Sequence, residues 1–342
     1  MNQPSDFPEA AELASSLTAM GLIAGDEAFS IERLPGGVSC DVWRIAPRGG
    51  GAFIVKRALS KLRVSADWFA PAQRSHTEVE WFRLVGGIDA SLVPRVLGED
   101  PARHLFAMQY LPPDSHPLWK AQLAAGFADA AFAAAVGAAL ARIHATTAGR
   151  ADVAAQFAND AQFLALRLEP YLLYIADRHP DVAAPIRTLS RGIAAARIAL
   201  MQGDISPKNI LRGPHGPVFL DAETACYGDP AFDLAFCLNH LLLKGVWHPE
   251  FADGYMACFG ALADAYLRGV GWEELAGIET RTAALLPALL LARIDGKSPV
   301  EYLTGERDKA LVRTFAKRLL TAPAASLEAL RLAWRNSLSR TR

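Results

Sequence analysis

The chain has 342 residues, 51% hydrophobic and 21% charged, with 35 Lys+Arg against 36 Asp+Glu. At roughly 100–200 residues per domain this allows two domains, and the apolar share suffices for sizeable cores, which excludes disorder as the main state. A net charge of −1 gives no broad basic footprint for nucleic acid or an anionic membrane, and no uncharged apolar run nears the ~18 residues of a membrane span.

The start of the chain lacks a cationic stretch followed by an apolar one, so no secretory signal is expected. Cys40, Cys226, Cys237 and Cys258 show no CxxC spacing, which argues against structural zinc and a disulfide framework. The expectation is a cytoplasmic protein with neither nucleic acid nor membrane as partner.

In chain order, residues 8–20 read as a helix with Asp6 at its N-cap. Short strand-like runs follow at Phe29–Leu34, Val42–Ala46 and Ala52–Lys56, separated by Gly36-Gly37 and Gly49-Gly50-Gly51. A polar helix over 74–86 precedes strands at Val93–Leu97 and Leu105–Tyr110, and Pro112-Pro113 closes this mixed segment. Beyond it, helical patterns run over 120–147, 159–177, 182–198, 230–243, 251–268, 272–294 and 306–335. One hairpin interrupts them, with Ile210-Leu211 and Val218–Leu220 flanking Gly213-Pro214-His215-Gly216-Pro217. The expected fold class is α+β: an antiparallel-sheet lobe over 1–111 and a larger, mainly helical lobe over 112–342.

The hairpin gathers polar residues. Asn209 precedes its first strand and Asp221 follows its second, so both finish at one end, while Asp204 lies five residues before Asn209. Glu223 is two residues past Asp221, which in an extended chain puts both side chains on one face. Three carboxylates and an amide converging there suit Mg²⁺, which takes few carboxylates plus phosphate oxygens and water. One carboxylate can stay off the metal and orient a hydroxyl for phosphoryl transfer. Singly, Asp204, Asn209 or Asp221 is more simply read as capping a turn; together, at this spacing around a hairpin, they are not.

The segment Gln202-Gly203-Asp204-Ile205-Ser206-Pro207-Lys208-Asn209-Ile210-Leu211, with Leu220-Asp221-Ala222-Glu223 and Tyr227-Gly228-Asp229-Pro230-Ala231-Phe232-Asp233-Leu234, resembles the aminoglycoside phosphotransferase/choline kinase superfamily of small-molecule kinases. In motif it is most similar to 5-methylthioribose kinase-like and choline kinase-like members. The resemblance implies a bilobal, protein-kinase-like fold, Asp204 as catalytic base, Asn209 and Asp221 as Mg²⁺ ligands, and Glu223 as a direct or water-mediated one. Asp233 matches a residue that hydrogen-bonds the catalytic-loop backbone, or else it starts a helix. Gln202 stands where the family usually has His.

For the nucleotide, the same resemblance implies Lys56, at the end of an apolar strand, as the lysine that reaches the ATP phosphates. Its partner would be Glu78 or Glu80, with Glu78 favoured. Gly36 and Gly37 lie where a phosphate-covering turn belongs, although an ordinary hairpin turn also explains them. Gln109 and Leu111 are expected to read adenine through main-chain groups. Gly296-Lys297-Ser298 is no Walker A motif, since position 291 is Leu.

Acceptor-side candidates are Asp114, His116, Trp119, Arg167, Tyr171, His240, Trp247 and Arg293. Arg293 resembles one of the tandem arginines of methylthioribose kinases, but Ala292 replaces the other. The expectation is an ATP/Mg²⁺-dependent phosphotransferase acting on a hydroxyl of a small-molecule acceptor: a sugar, an amino alcohol or an aminoglycoside-like compound. The alternative is a non-catalytic nucleotide-binding scaffold, suggested by Gln202.

Overall fold

The computed structural model describes residues 10–25, 27–35, 39–63 and 70–339, so Asp6, Gly36 and Gly37 lie outside the described residues. The chain divides into two units, Met1–Pro112 and Pro113–Arg342.

In the first unit, helix α1 (Ala10–Ala19) precedes strands β1 (Phe29–Arg33), β2 (Cys40–Pro47) and β3 (Phe53–Ala58). Helix α2 (Arg74–Ile88) then leads to β4 (Val96–Asp100) and β5 (Leu105–Gln109). The strands form one antiparallel sheet in the order β1-β2-β3-β5-β4. Side-chain alternation sorts its faces. Ile31, Trp43, Ile45, Val55 and Ala107 bury against Leu13 and Leu17 of α1. Phe106 points the other way and meets Phe82 of α2 edge-on, 6.3 Å between ring centroids. Because Val55 faces α1, Lys56 faces α2. The strand expected from Val93 begins instead at Val96. Asp89 caps a 3₁₀ turn at Ala90–Leu92 by accepting from the Ser91 N–H at 2.8 Å, and Pro94 has no N–H to give a ladder.

The second unit opens with α3 (Trp119–Ala124), α4 (Ala130–Thr147), α5 (Ala151–Gln156) and α6 (Asp160–Phe163). A π-helical stretch, Leu164–Leu173, continues into α7 (Tyr174–Arg178), and α8 (Ala183–Ala195) follows. Strands β6 (Ala199–Met201), β7 (Ile210–Gly213), β8 (Gly216–Phe219) and β9 (Cys226–Gly228) come next, with β7 pairing β8 as the expected hairpin and β6 pairing β9. Helices α9 (Ala231–Trp247), α10 (Ala252–Arg268), α11 (Leu275–Asp295), α12 (Glu306–Thr321) and α13 (Leu327–Ser339) complete it.

The helix expected over 120–147 is two helices. Gly126 takes φ +79°, and a Cβ there would lie 2.5 Å from the Phe251 ring. Asp129 then restarts the helix by accepting from the Ala131 and Phe132 N–H groups at 2.9 and 3.1 Å. Two helices are strongly apolar although neither is an uncharged run: α4 and α11 carry 18-residue windows of mean hydropathy 1.2 and 1.4. These windows are 56% and 61% buried within the unit, where α4 packs on α10 and α11 on α9 and α12. That burial is the pattern of core helices.

Candidate active site

The loop after β6 is held from beneath. Asp233, fully buried on the first turn of α9, accepts from the Gln202 N–H at 2.7 Å and the Gly203 N–H at 2.8 Å. The entry to α9 is served instead by Asp229, which accepts from the Ala231 N–H at 3.0 Å and pairs with Arg281 at 2.8 and 3.0 Å. Of the two roles open to Asp233, the structure therefore assigns it the loop.

Gly203 turns the chain at φ +80°, and a Cβ there would lie 2.6 Å from Thr224 Oγ1 and 2.8 Å from its carbonyl. Gly203→Ala should therefore destabilise the fold by about 2–4 kcal/mol, a left-handed penalty plus a clash against backbone, measured by urea unfolding.

Gln202 ties both ends of the loop together. Its Oε1 accepts from the Asp204 N–H at 2.6 Å, and its Nε2 donates to the Leu220 and Asp221 carbonyls at 2.7 and 3.0 Å. A carboxamide offers one acceptor and two donor hydrogens, so it can make all three bonds. Asn209 Nδ2 donates to the Asp204 carbonyl at 3.0 Å and to Asp204 Oδ2 at 2.9 Å. Lys208 Nζ lies 2.9 Å from Asp204 Oδ2 and 3.9 Å from Asp221 Oδ2. Asp204 and Asp221 thus share one ammonium group, and Asn209 is bonded to Asp204.

Arg167 closes the other side of Asp204, its Nη2 standing 3.1 Å from Oδ2 while its Nε donates to the Gly203 carbonyl. Burial opposes its charge, but Asp204, then Tyr171, Glu223 and Asp221, raise its pKa above the ordinary value. It stands in the π-helical stretch, which also contains Pro170, a residue with no N–H to carry an α ladder. Arg167 Nη1 donates to Leu166 O at 2.7 Å.

Among the described residues no group of three or more His, Cys, Asp or Glu side chains is placed to hold an ion, although Asp204, Glu223 and Asp221 all act on the charge of Arg167. Asp221 adopts φ 62°, and Glu223 and Thr224 form a turn, so Asp221 and Glu223 are not related by extended alternation. Asn209 and Asp221 offer one amide and one carboxylate. That donor set fits Mg²⁺, which fills its other positions with phosphate oxygens and water. A non-glycine residue held in the left-handed region costs on the order of 1–3 kcal/mol and is characteristic of functional sites.

In the first unit, Lys56 Nζ lies 2.6 Å from Glu78 Oε2, and both side chains are buried. Glu80 pairs with Arg83 at 2.6 Å instead. The Gln109 N–H donates to the Arg95 carbonyl at 2.9 Å, so it is already committed within the sheet.

The acceptor candidates separate by environment. Trp119 is core, edge-on to Phe132 at 5.5 Å, and Trp247 stacks on Tyr302 at 4.5 Å. Asp114 is exposed, and His116 Nδ1 lies 2.9 Å from Ser115 Oγ. Arg167 stands at Asp204, with its guanidinium 5.8 Å from the Tyr171 ring. His240 and Arg293 share a cavity with Lys120, Lys208 and Lys244, three lysines that sequence reasoning missed. Lys244 had a visible signal, being the one cation in the apolar α9, four residues from His240 on the same face.

No curated protein matches the sequence. Among solved structures, an amicoumacin kinase in complex with AMP-PNP, Ca²⁺ and Ami is 16% identical, with a TM-score of 0.54 over 86% of this chain and 89% of its own. A protein assigned as a fructosamine-3-kinase from Thermobifida fusca YX-ER1 is 18% identical, with a TM-score of 0.51 over 90% and 99%. At such identities the likeness establishes the fold. The family model for phosphotransferase enzymes matches residues 30–278, well over half of the length. With that match laid over the loop and hairpin just described, the chain belongs to the phosphotransferase enzyme family.

Proposed function

We propose that the protein moves the γ-phosphoryl group of ATP, with Mg²⁺, to a hydroxyl of a small-molecule acceptor, using Asp204 as its base. The observation that carries this reading is Asp204 itself: buried, fixed by Asn209, Gln202 and Arg167, and joined through Lys208 to Asp221. When bound, ATP supplies the phosphoryl group, and Mg²⁺ on Asn209 and Asp221, with Glu223 directly or through water, offsets charge on the phosphate oxygens. Asp204 accepts the hydrogen bond of the acceptor hydroxyl and takes its proton as the new O–P bond forms and ADP departs with the electron pair. Arg167 and Lys208 hold the carboxylate in place, so the base need only orient, which is most of what phosphoryl transfer asks of it.

Lys56, fixed by Glu78, is proposed to meet the α/β-phosphates, and Gly36 and Gly37 are proposed to contribute to the same nucleotide site. Because the Gln109 N–H is committed, the adenine donor on this reading is the Leu111 main chain, with Gln109 limited to its carbonyl. The amicoumacin kinase of the same fold, solved with AMP-PNP and Ca²⁺, supports a nucleotide with a divalent ion. The non-catalytic reading rests on Gln202, whose carboxamide makes three bonds within the loop, which supports the catalytic reading.

The test is ADP release from ATP across a panel of hydroxyl compounds, with the product ester located by ³¹P NMR. Release should stop on chelation of Mg²⁺. Lys56→Met should lower kcat/KM for ATP by roughly 10²–10³-fold, since it deletes a phosphate contact in a dry site and leaves Glu78 without its cation. Full activity in that variant would sink the nucleotide assignment.

A further inference from the structure

Pro207 and Lys208 of the loop form one wall of a cavity in the second unit. Helices supply others, with Lys120 from α3, His240 and Lys244 from α9, and Arg293 from α11. The space they line is about 30 Å³, more than the roughly 10–15 Å³ that one water requires and of the scale of a small polar group such as a carboxylate or phosphate.

Two of the four cations are already answered. Lys208 pairs with Asp204 at 2.9 Å, and Lys120 pairs with Glu301, which also lines the space. The other two are not: neither Lys244 nor Arg293 has an ion-pair partner among the described residues. Lys244 is 1% exposed, and among the described residues its ammonium has no hydrogen-bond acceptor, while the ring faces of Trp247 and Tyr302 are each 4.9 Å away. Arg293 donates only to neutral oxygens of Tyr171 and Ser298, and its Nε has no partner. His240 Nε2 and Tyr302 Oη are unpartnered as well.

Buried unpaired charges are costly, and buried polar atoms without partners are rare. Four such groups around one small space point to an occupant of opposite charge. The local field agrees. Burial, then Arg293, Lys244, Lys208 and Lys120, push the His240 pKa well below the ordinary histidine value. Burial and Lys120 bring Lys244 down to about 8.

We propose that this cavity receives the anionic end of the acceptor, so the substrate is a hydroxyl compound carrying a carboxylate or a phosphate. The inference rests on Asp204 as the group that orients the hydroxyl: Lys208 touches both Asp204 and the cavity, which sets the anion and the reacting hydroxyl within the length of one small molecule. An acceptor presenting an ammonium group here is repelled.

Matched acceptors test this: glycerol, glycerate and glycerol 3-phosphate, and glucose, glucuronate, glucosamine and glucose 6-phosphate, each assayed for ADP release. The acidic members should show kcat/KM at least about tenfold above the neutral ones, and glucosamine should be the poorest. Lys244→Met or Arg293→Met should raise KM for the acid about tenfold or more. A second measurement needs no turnover. Malonate and inorganic phosphate, as separate probes of the two anion types, should raise Tm of the wild-type protein and not of Lys244→Met. That variant also loses a buried unpaired charge, so without ligand its Tm should rise by roughly 2–4 °C, which shows that it folds. Preference for neutral or amine acceptors, or equal anion shifts in wild type and Lys244→Met, overturns the proposal. If no acid is turned over, the Tm comparison decides. ATP hydrolysis indifferent to every acceptor and to Asp204 would overturn the phosphotransfer reading instead and leave the anion site standing.

Discussion

Asp204→Asn should lower kcat by about 10²–10⁴-fold while KM for ATP stays within about threefold, because the variant keeps the shape of the side chain and loses only its capacity to accept a proton. Asparagine can still take the Asn209 Nδ2 hydrogen bond through its remaining oxygen, now made to Asp204 at 2.9 Å. The charge balance changes as well, since Arg167 and Lys208 at 3.1 and 2.9 Å would face a neutral group. Some loss of stability is therefore expected beside the loss of rate, and urea unfolding separates the two. ADP release at the wild-type rate with a confirmed acceptor would show that this carboxylate is not the base.

Asp233→Ala should be the most damaging change made away from the reacting groups. Both carboxylate oxygens are spent on backbone N–H groups, at 2.7 and 2.8 Å, in a place with no access to water. Alanine leaves two buried donors unsatisfied at roughly 1–3 kcal/mol each, so a loss of about 2–5 kcal/mol in unfolding free energy is expected. The freed loop also loses its fixed origin, so kcat should fall even at temperatures where the variant stays folded. Near-native stability in urea would mean that the bonds from Gln202, Thr224, Arg167 and Asn209 suffice to hold the loop.

Local pattern explains what was legible in the sequence. The hairpin and the placing of Asn209 and Asp221 at one end follow from a two-residue turn, a short-range rule. The five strands of the first unit are likewise punctuated by glycines and prolines that act on their immediate neighbours. What escaped depends on distant partners. The three-residue strands β6 and β9 exist only because Ala199 finds Gly228 across the intervening hairpin. Position 221 reads as the end of a strand, and nothing nearby announces its left-handed backbone, which is imposed from outside: Gln202 grips the Leu220 and Asp221 carbonyls together. The cationic cavity was invisible for the same reason, since Lys120, Lys244 and Arg293 come from helices far apart in the chain. Only the lone lysine of α9 broke a local rule.

Pro170 shows how a flaw in regular structure can be put to use. A helix ordinarily spends each carbonyl on its own ladder and has none to lend. Without an N–H at residue 170 the α ladder cannot run unbroken, and the backbone over Leu164–Leu173 takes the wider π register. Arg167 stands on that widened turn, donating to the Leu166 carbonyl at 2.7 Å and reaching the Asp204 carboxylate at 3.1 Å. A substitution chosen to repair the helix should draw the turn back toward the α register and shift Arg167 from Asp204, trading an orderly backbone against a fixed carboxylate.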